Sequence, residues 1–529
     1  MAWPVADRFL LRWGAAHCNA SVMQELELKF VLNEQTEKML RENPALSRLS
    51  GGRGSTASLH TIYFDTPDRA LKAAGIALRL RRKGQSWVQT VKAGKVLQAG
   101  LSDATEVECR VPSGELDLDR LDDPAIRAEV KRRLNSYNPE AVCETVICRT
   151  TRNLAMADGS SVELAIDVGE VRARDRSEPW REAELELKSG TPAALFAAAR
   201  ELFPEGGLEF SNVSKAQRGY LLSEQGRISL PAEPRRSRQV ALSGEMTLEQ
   251  AVVAVLHECL DQIAANALAI LRSDDPEGPH QLRIGLRRLR AALANFRPVL
   301  GGATLERLAD EAKWLGQQVG GQRDLDVMLH DVVLREAEKH PDEPGFPVLV
   351  ESLRAAGAAE RARLRDTLKG SRVHGSLLDL AAFIETRGWL RPGDAAQAEA
   401  LAAPVGDQAE ESLATCWQRV AKRAKGIEGL NVEARHELRK RLKRLRYVAE
   451  FLAPLYGKER SAPFLKRLKV LQDVFGELND RALAEAMLTG PEVPAGGDAA
   501  AQRAVGRILG AREHAAEHAW DSAKADWRR

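Results

Sequence analysis

The chain has 529 residues, of which 44% are hydrophobic and 29% charged, and its formal net charge is +2. That length exceeds one ordinary core and predicts two to four domains, while the balanced total excludes a generally polycationic surface. No uninterrupted apolar run approaches the ~18 residues of a membrane span, and Arg12 breaks FLLRWGAA before it could act as a signal segment. The six cysteines (Cys18, Cys109, Cys143, Cys148, Cys259 and Cys416) form no CxxC pair. Reduced thiols in a cytoplasm are therefore expected, with Cys143 and Cys148 separated along a strand.

Residues 1–22 carry no period or cap and are expected to be an unstructured extension or a mis-assigned start. From there to about residue 225 the chain alternates with period two, in ELELKFVL (25–32), TIYFDT (61–66), ALRLRRK (77–83), WVQTVKA (87–93), TEVECRV (105–111), SVELAIDVGEV (161–171) and EAELELK (182–188). These stretches predict strands, and helical patterns fall at 33–49 and 192–203. The segment 226–242, containing LPAEPRRSRQ, has two prolines and no period and reads as a linker. Beyond it, from 243 to 525, the pattern is helical and rich in Ala, Leu and Arg.

Side chains two apart on a strand share a face. Glu25, Glu27 and Lys29 therefore point one way and Leu26 and Leu28 the other, and Glu184, Glu186 and Lys188 repeat this. The same spacing joins Arg79 to Arg81, Glu106 to Glu108, and Glu163 to Asp167. Acids and bases are sorted by strand, whereas a merely solvated face would mix them, and the leucine face must also be buried. A barrel wrapped by helices around a charged tunnel satisfies both demands. Clustered carboxylates suit Mg²⁺ or Mn²⁺, and clustered Arg and Lys match phosphate oxygens. A polyphosphate carrying divalent ions would satisfy both sets, and the chemistry expected is phosphoanhydride hydrolysis.

ELELK at 25–29, TIYFDT, ALRLRR (77–82), VELAIDVGEV (162–171), ELELK at 184–188 and SKAQRGYLL (214–222) resemble, in order, the blocks of CYTH domains, the triphosphate tunnel metalloenzymes. The resemblance covers about 23–225. It implies an α+β domain built on an antiparallel β-barrel that hydrolyses inorganic triphosphate to pyrophosphate and phosphate. Its metal-binding acids carry over to Glu25, Glu27, Glu184 and Glu186, with Glu106, Glu108 and Asp167 as further tunnel acids. Its phosphate-gripping bases fall on Lys29, Arg79, Arg81, Lys92, Lys188 and Lys215, joined by one of Arg149 and Arg152, with Arg152 taken here. Glu25, Glu27, Lys29 and Lys92 are the expected catalytic set. Arg218 and Tyr220 either line the tunnel or pack around it. Thiamine triphosphate hydrolysis and class IV adenylate cyclase activity are the enzymatic alternatives, although residues 1–225 offer no aromatic cluster for an organic group. A non-catalytic polyphosphate-granule scaffold is the alternative from another class.

In the helical half, HQLRIGLRRLR from His280 and HELRKRLKRLR from His436 match at an offset of 156 (436 − 280), which also maps Leu315 to Leu471, Gly320 to Gly476 and Asp324 to Asp480. Two copies of one helical unit are predicted. At about 100° per residue, His280, Arg283, Arg287 and Arg290 span an arc of roughly 80°, with Leu282, Leu286, Leu289 and Leu293 opposite. The face lacks the acids at i+3 or i+4 that would neutralise it. These motifs, with LGQQVGGQRDLDVML (315–329), resemble the CHAD domain, and Asn479 departs from the arginine expected in the second copy. The resemblance implies polyphosphate binding by His280, Arg283, Arg287, Arg288 and Arg290 and by His436, Arg439, Lys443, Arg444 and Arg446. His257, His330 and His374 read as structural or surface residues. No membrane or nucleic-acid partner is expected. A cytoplasmic location, in association with polyphosphate granules, is.

Overall fold

The computed structural model describes residues 23–52, 54–94, 101–489 and 498–528, so the expectation for residues 1–22 lies outside the described part. The chain forms two compact units, Met1–Pro231 and Ala232–Arg529.

The first unit is built on one antiparallel sheet. Its strands are β1 (Met23–Val31), β2 (Ser55–Asp65), β3 (Ile76–Lys83), β4 (Ser86–Gly94) and β5 (Leu101–Val111), then β6 (Glu140–Ala155), β7 (Ser161–Ala173), β8 (Arg176–Ser189) and the short β9 (Glu209–Phe210). Their spatial order is β5-β4-β3-β2-β6-β7-β8-β1-β9, and β1 also pairs β5. The sheet therefore curls back on itself, through a short seam. β1 meets β5 over Met23–Leu28 and β8 over Glu27–Val31, so only Glu27 and Leu28 pair with both, while Phe30 and Val31 pair with β8 and β9. "Barrel" holds loosely.

Among the described residues six α-helices accompany the sheet: α1 (Glu34–Glu42), α2 (Pro44–Leu49), α3 (Ala70–Ala73), α4 (Pro124–Leu134), α5 (Ala193–Leu202) and α6 (Lys215–Gln225). The helical pattern over 33–49 is split because Asn43 ends α1 and its side chain caps α2, where Pro44 takes a position whose N–H has no helical partner anyway. Strand parity then decides the layers. Leu28, Phe30, Leu78, Leu80, Val91 and Leu185 are wholly buried on the outer face. There Leu71 of α3 and Ile126, Val130 and Leu134 of α4 cover Leu78, Val91 and Val107, and α5 packs on β7 and β8. α6 lies on the inner face instead. Its Ala216, Tyr220 and Leu222 pack with Leu59, Tyr63, Cys143, Ile147, Val171 and Trp180, filling one end of the tunnel. The approach is close enough that a Cβ on Gly219 would fall 2.0 Å from Cys143 Sγ, and the Tyr220 hydroxyl donates to Asp65 at 2.7 Å.

The second unit is helical: α7 (Leu248–Arg272), α8 (Glu277–Leu300), α9 (Ala303–Asp326), α10 (Leu334–Lys339), α11 (Gly345–Lys369), α12 (Ser371–Glu385) and α13 (Ala395–Ala402). α14 (Val405–Ala424), α15 (Val432–Leu452), α16 (Lys458–Thr489) and α17 (Ala499–Arg528) follow. The offset of 156 (436 − 280) carries α7, α8, α9 and α11 onto α14, α15, α16 and α17, so the repeat is a four-helix unit, with α12 and α13 between the two copies. α7 is apolar and long enough to cross a membrane, yet 61% of its most apolar stretch is buried against the rest of the protein, as befits a core helix. Part of the stretch expected as a linker packs on it. Arg235 pairs with Glu258 at 2.6 Å, the Arg238 amide donates to the same carboxylate, and Val240 and Leu242 are buried. The five described cysteines are free, with Cys143 buried and Cys148 exposed on β6.

Candidate functional site

Register turns the sorted charges of the strands into cross-strand pairs. Lys29 stands opposite Glu184, Lys92 opposite Glu106, and Arg149 opposite Asp167, all on the inner face. Lys29 Nζ lies 2.7 Å from Glu184 and 2.9 Å from Glu27, and Lys92 reaches Glu27 at 3.2 Å and Glu106 at 3.4 Å. Arg79 meets Glu106 at 2.5 Å. Arg149 forks onto both oxygens of Asp167, at 2.7 and 2.6 Å, and also reaches Glu184 at 2.6 Å. Lys215, at the start of α6, closes the network on Asp167 (3.0 Å), Glu182 (3.3 Å) and Glu184 (2.5 Å).

These pairs set the protonation states. Burial pushes the Glu184 carboxyl up, but Lys215, Lys29 and Arg149 together hold it well below the ordinary carboxylate range. Asp167 is likewise held low against its burial by Lys215 and Arg149. Burial works to lower Lys29, yet Glu184 and Glu27 raise it well above its usual value. Arg81 differs. It donates to the Thr61 hydroxyl at 3.2 Å, and no described carboxylate pairs with it. Burial, then repulsion from Arg79 and Arg149, lowers its pKa to about 10. It is a guanidinium held among cations inside the tunnel, where an anion would be welcome.

A divalent cation could sit where carboxylates adjoin one another across neighbouring strands. Glu163, Glu186 and Glu27 are lateral neighbours across β7, β8 and β1. Burial raises the Glu186 pKa, Lys188 opposes this, and the charges of Glu163 and Glu27 add to the rise. Carboxylates that disfavour one another's charge fit a hard divalent ion, although among the described residues no three ligating side chains already converge. The side chain of Glu25 lies outside the described part. Of the other acids expected as metal ligands, Asp167 and Glu184 pair with Arg149 and Lys215, Glu184 also with Lys29, Glu106 with Arg79, and Glu108 accepts from Thr90.

Arg152 is a correction. Three residues from Arg149, it stands on the opposite face, opposite Leu164 in register, and its guanidinium reaches the Ser50 hydroxyl at 3.4 Å. Arg149 is the inward base. Lys188 sits at the tunnel's more exposed edge with Glu186 (2.6 Å) and Glu163. Sequence reasoning missed Glu182, which is fully buried and receives the Ser211 hydroxyl, Lys215 and Arg218. Its parity with Glu184 was the available signal. Arg218, left open above, packs over the Trp180 ring and donates to Ser211 and Ile228.

In the helical unit α8 and α15 pack together, and their basic faces converge. Lys443 of α15 lies within the electrostatic reach of Arg287 and Arg283 of α8 and of Arg439 and Arg446 of its own helix; burial and these four cations lower its pKa to about 6. Burial and Arg283 lower Arg287, and His280 is lowered by burial and Arg323. Arg283 is tied to Asp324 (2.7 Å), and Arg446 to Glu450 (2.6 Å) and Gln472. Arg290 and His436 are exposed. Arg288 and Arg444, expected on the binding face, are corrected. Arg288 is 3% exposed, pairs with Glu450 and stacks on Phe451, while Arg444 donates to the Ala294 carbonyl. At about 100° per residue they lie well round the helix from Arg283 and Arg439. The side chains of Asn479 and Asp480 lie outside the described part. His374 is buried, its pKa lowered to about 4, and His257 pairs with Glu385, as ordinary structural histidines do.

An inward-charged antiparallel sheet followed by a duplicated four-helix unit defines a two-domain architecture. Residues 23–220 match the family model of the CYTH domain and residues 254–489 that of the CHAD domain, and the chain belongs to the proteins that join the two. An inorganic triphosphatase of Haemophilus influenzae is 29% identical over 209 residues, 39% of this chain and 56% of that protein, so the match spans little more than half of that relative. An uncharacterized protein of Mycobacterium tuberculosis is 26% identical over 497 residues, 87% of each chain. The crystal structure of the CHAD domain from the plant Ricinus communis aligns with a TM-score of 0.49 at 28% identity, covering 56% of this chain and 96% of that one.

Proposed function

We propose that the first domain hydrolyses inorganic triphosphate and that the second binds inorganic polyphosphate, in a cytoplasmic protein. The observation that supports the first half is the interleaved tunnel lining, in which acids and bases pair across the strands while Arg81 has no described carboxylate against it and awaits an anion. Arg81, Arg79, Lys92 and Lys29 grip the phosphate oxygens, and incoming phosphate displaces Glu27 and Glu106 from their lysine and arginine partners. Mg²⁺ or Mn²⁺ held by Glu27 and Glu186, with Glu25 on the same strand face, would neutralise developing charge and orient a water. Attack by water on a terminal phosphorus breaks one phosphoanhydride bond and yields pyrophosphate and phosphate.

Phosphate release measured on tripolyphosphate, thiamine triphosphate and ATP tests this. Tripolyphosphate should be preferred, the reaction should stop in chelator, and Glu27→Gln should abolish it in a folded protein. Full activity in chelator would remove the tunnel mechanism.

For the helical domain, the convergence of Arg283, Arg287, Arg439 and Lys443 supports a polyanion site. Binding of long-chain polyphosphate to the full chain in chelator should weaken steeply with salt. By analogy with single-stranded nucleic acid, each neutralised phosphate adds about 0.7 to the slope of log affinity against log salt. Reversing all four residues to Glu should flatten that slope, and wild-type affinity in that variant would assign the cluster another role.

A further inference from the structure

Lys443 occupies an unusual place in the helical domain. α8 presents Arg283 and Arg287 to it, and α15 presents Arg439, Arg446 and Tyr447 around it. The acids of the neighbourhood are engaged elsewhere. Asp324 of α9 is held by Arg283, Glu450 is shared by Arg446 and Arg288, and Asp473 of α16 lies on the Arg446 side with Gln472. α14 meets the other side of α15, where Cys416 neighbours Arg444. Among the described residues nothing forms a hydrogen bond or ion pair with the Lys443 ammonium. A lysine half-buried among guanidiniums cannot keep its charge cheaply, whereas its arginine neighbours cannot lose theirs.

We propose that this cluster takes up a proton when it receives a phosphate chain, and that Lys443 is the group that takes it. The inference rests on the polyphosphate reading above. In the free protein Lys443 is largely neutral above about pH 6. A bound polyanion cancels the field of the four guanidiniums and restores the ammonium, which then donates to phosphate oxygens. The sign follows: the complex binds more protons than the free protein, so affinity rises as pH falls toward about 6 and levels off below it. One coupled proton corresponds to about a tenfold gain in affinity per pH unit within that window. The cluster would thus capture polyphosphate more strongly in a mildly acid setting, beyond what fixed arginine charge provides.

The repeat supplies the control, because Arg287 holds the position equivalent to Lys443 and shows that an arginine fits there. Titration calorimetry would follow polyphosphate binding to the full chain in chelator, at pH 7.5, in buffers of different ionisation enthalpy. The wild type should absorb about one proton more per bound chain than Lys443→Arg, and only the wild type should gain the extra affinity on acidification. Protonation of the polyphosphate ends and any binding in the tunnel are common to both proteins and cancel. Equal proton uptake with equal pH dependence in the two proteins would overturn the proposal while leaving polyphosphate binding intact. Absence of binding by both would instead overturn the reading beneath it.

Discussion

Arg81→Gln should lower phosphate release from tripolyphosphate by about 10²–10³-fold, the loss expected when a preorganised donor to developing negative charge is removed. Stability should move the other way. The wild-type guanidinium is half-buried near Arg79 and Arg149 with no described carboxylate against it, and its depressed pKa of about 10 reflects its burial first and then that repulsion. A neutral amide keeps a hydrogen-bonding group near Thr61 and relieves the repulsion, so the tunnel domain should be as stable as wild type or more so, by about 1 kcal/mol. Steady-state kinetics and thermal unfolding on the same preparation give both readings. Near-wild-type turnover would show that the phosphate is held elsewhere.

Arg149→Met should have the opposite signature, a large loss of stability with activity falling as a consequence. Arg149 is the bidentate partner of Asp167, which is 0% exposed, and it also reaches Glu184, which is 6% exposed. Removing one partner of a buried pair strands the remaining charges, at a cost of about 3–5 kcal/mol. Lys215 remains on both acids and limits the damage to the lower part of that range. For a domain of this size the melting temperature should drop on the order of 10 °C. Arg152→Met is the matched control: three residues away on the other face and, among the described residues, bound only to Ser50 at 3.4 Å, it should change stability by no more than about 0.5 kcal/mol. Equal effects of the two substitutions would refute the assignment of faces on β6.

Much of this architecture is local and was legible for that reason. Period-two alternation placed β1, β3, β4, β7 and β8 and told which of their side chains share a face, because a strand's geometry depends on nothing beyond itself. The doubled basic motif predicted the helical repeat, since an exact offset survives without any knowledge of contacts. β6 was harder: in EAVCETVICRTTRNLA polar and apolar residues fall on both faces, because Arg149 faces the tunnel while Leu154 and its neighbours face the helices. The inward member of the pair Arg149 and Arg152 therefore needed the register with β7.

The tertiary structure decided which charges answer which. Sequence alone grouped Glu25, Glu27, Glu106, Glu108, Asp167, Glu184 and Glu186 as one class of metal-holding acids; the bases that several of them meet come from strands and a helix far away in the chain. Lys215 comes from α6, which enters the tunnel because Gly219 lets its backbone meet Cys143. Likewise two basic helix faces 156 residues apart (436 − 280) each looked complete alone. Only the crossing of α8 and α15 brings Arg283 and Arg287 to Lys443, while the rotation of each helix turns Arg288 and Arg444 inward. Coulomb energy depends on distance and burial, and neither is a property of a single strand or helix.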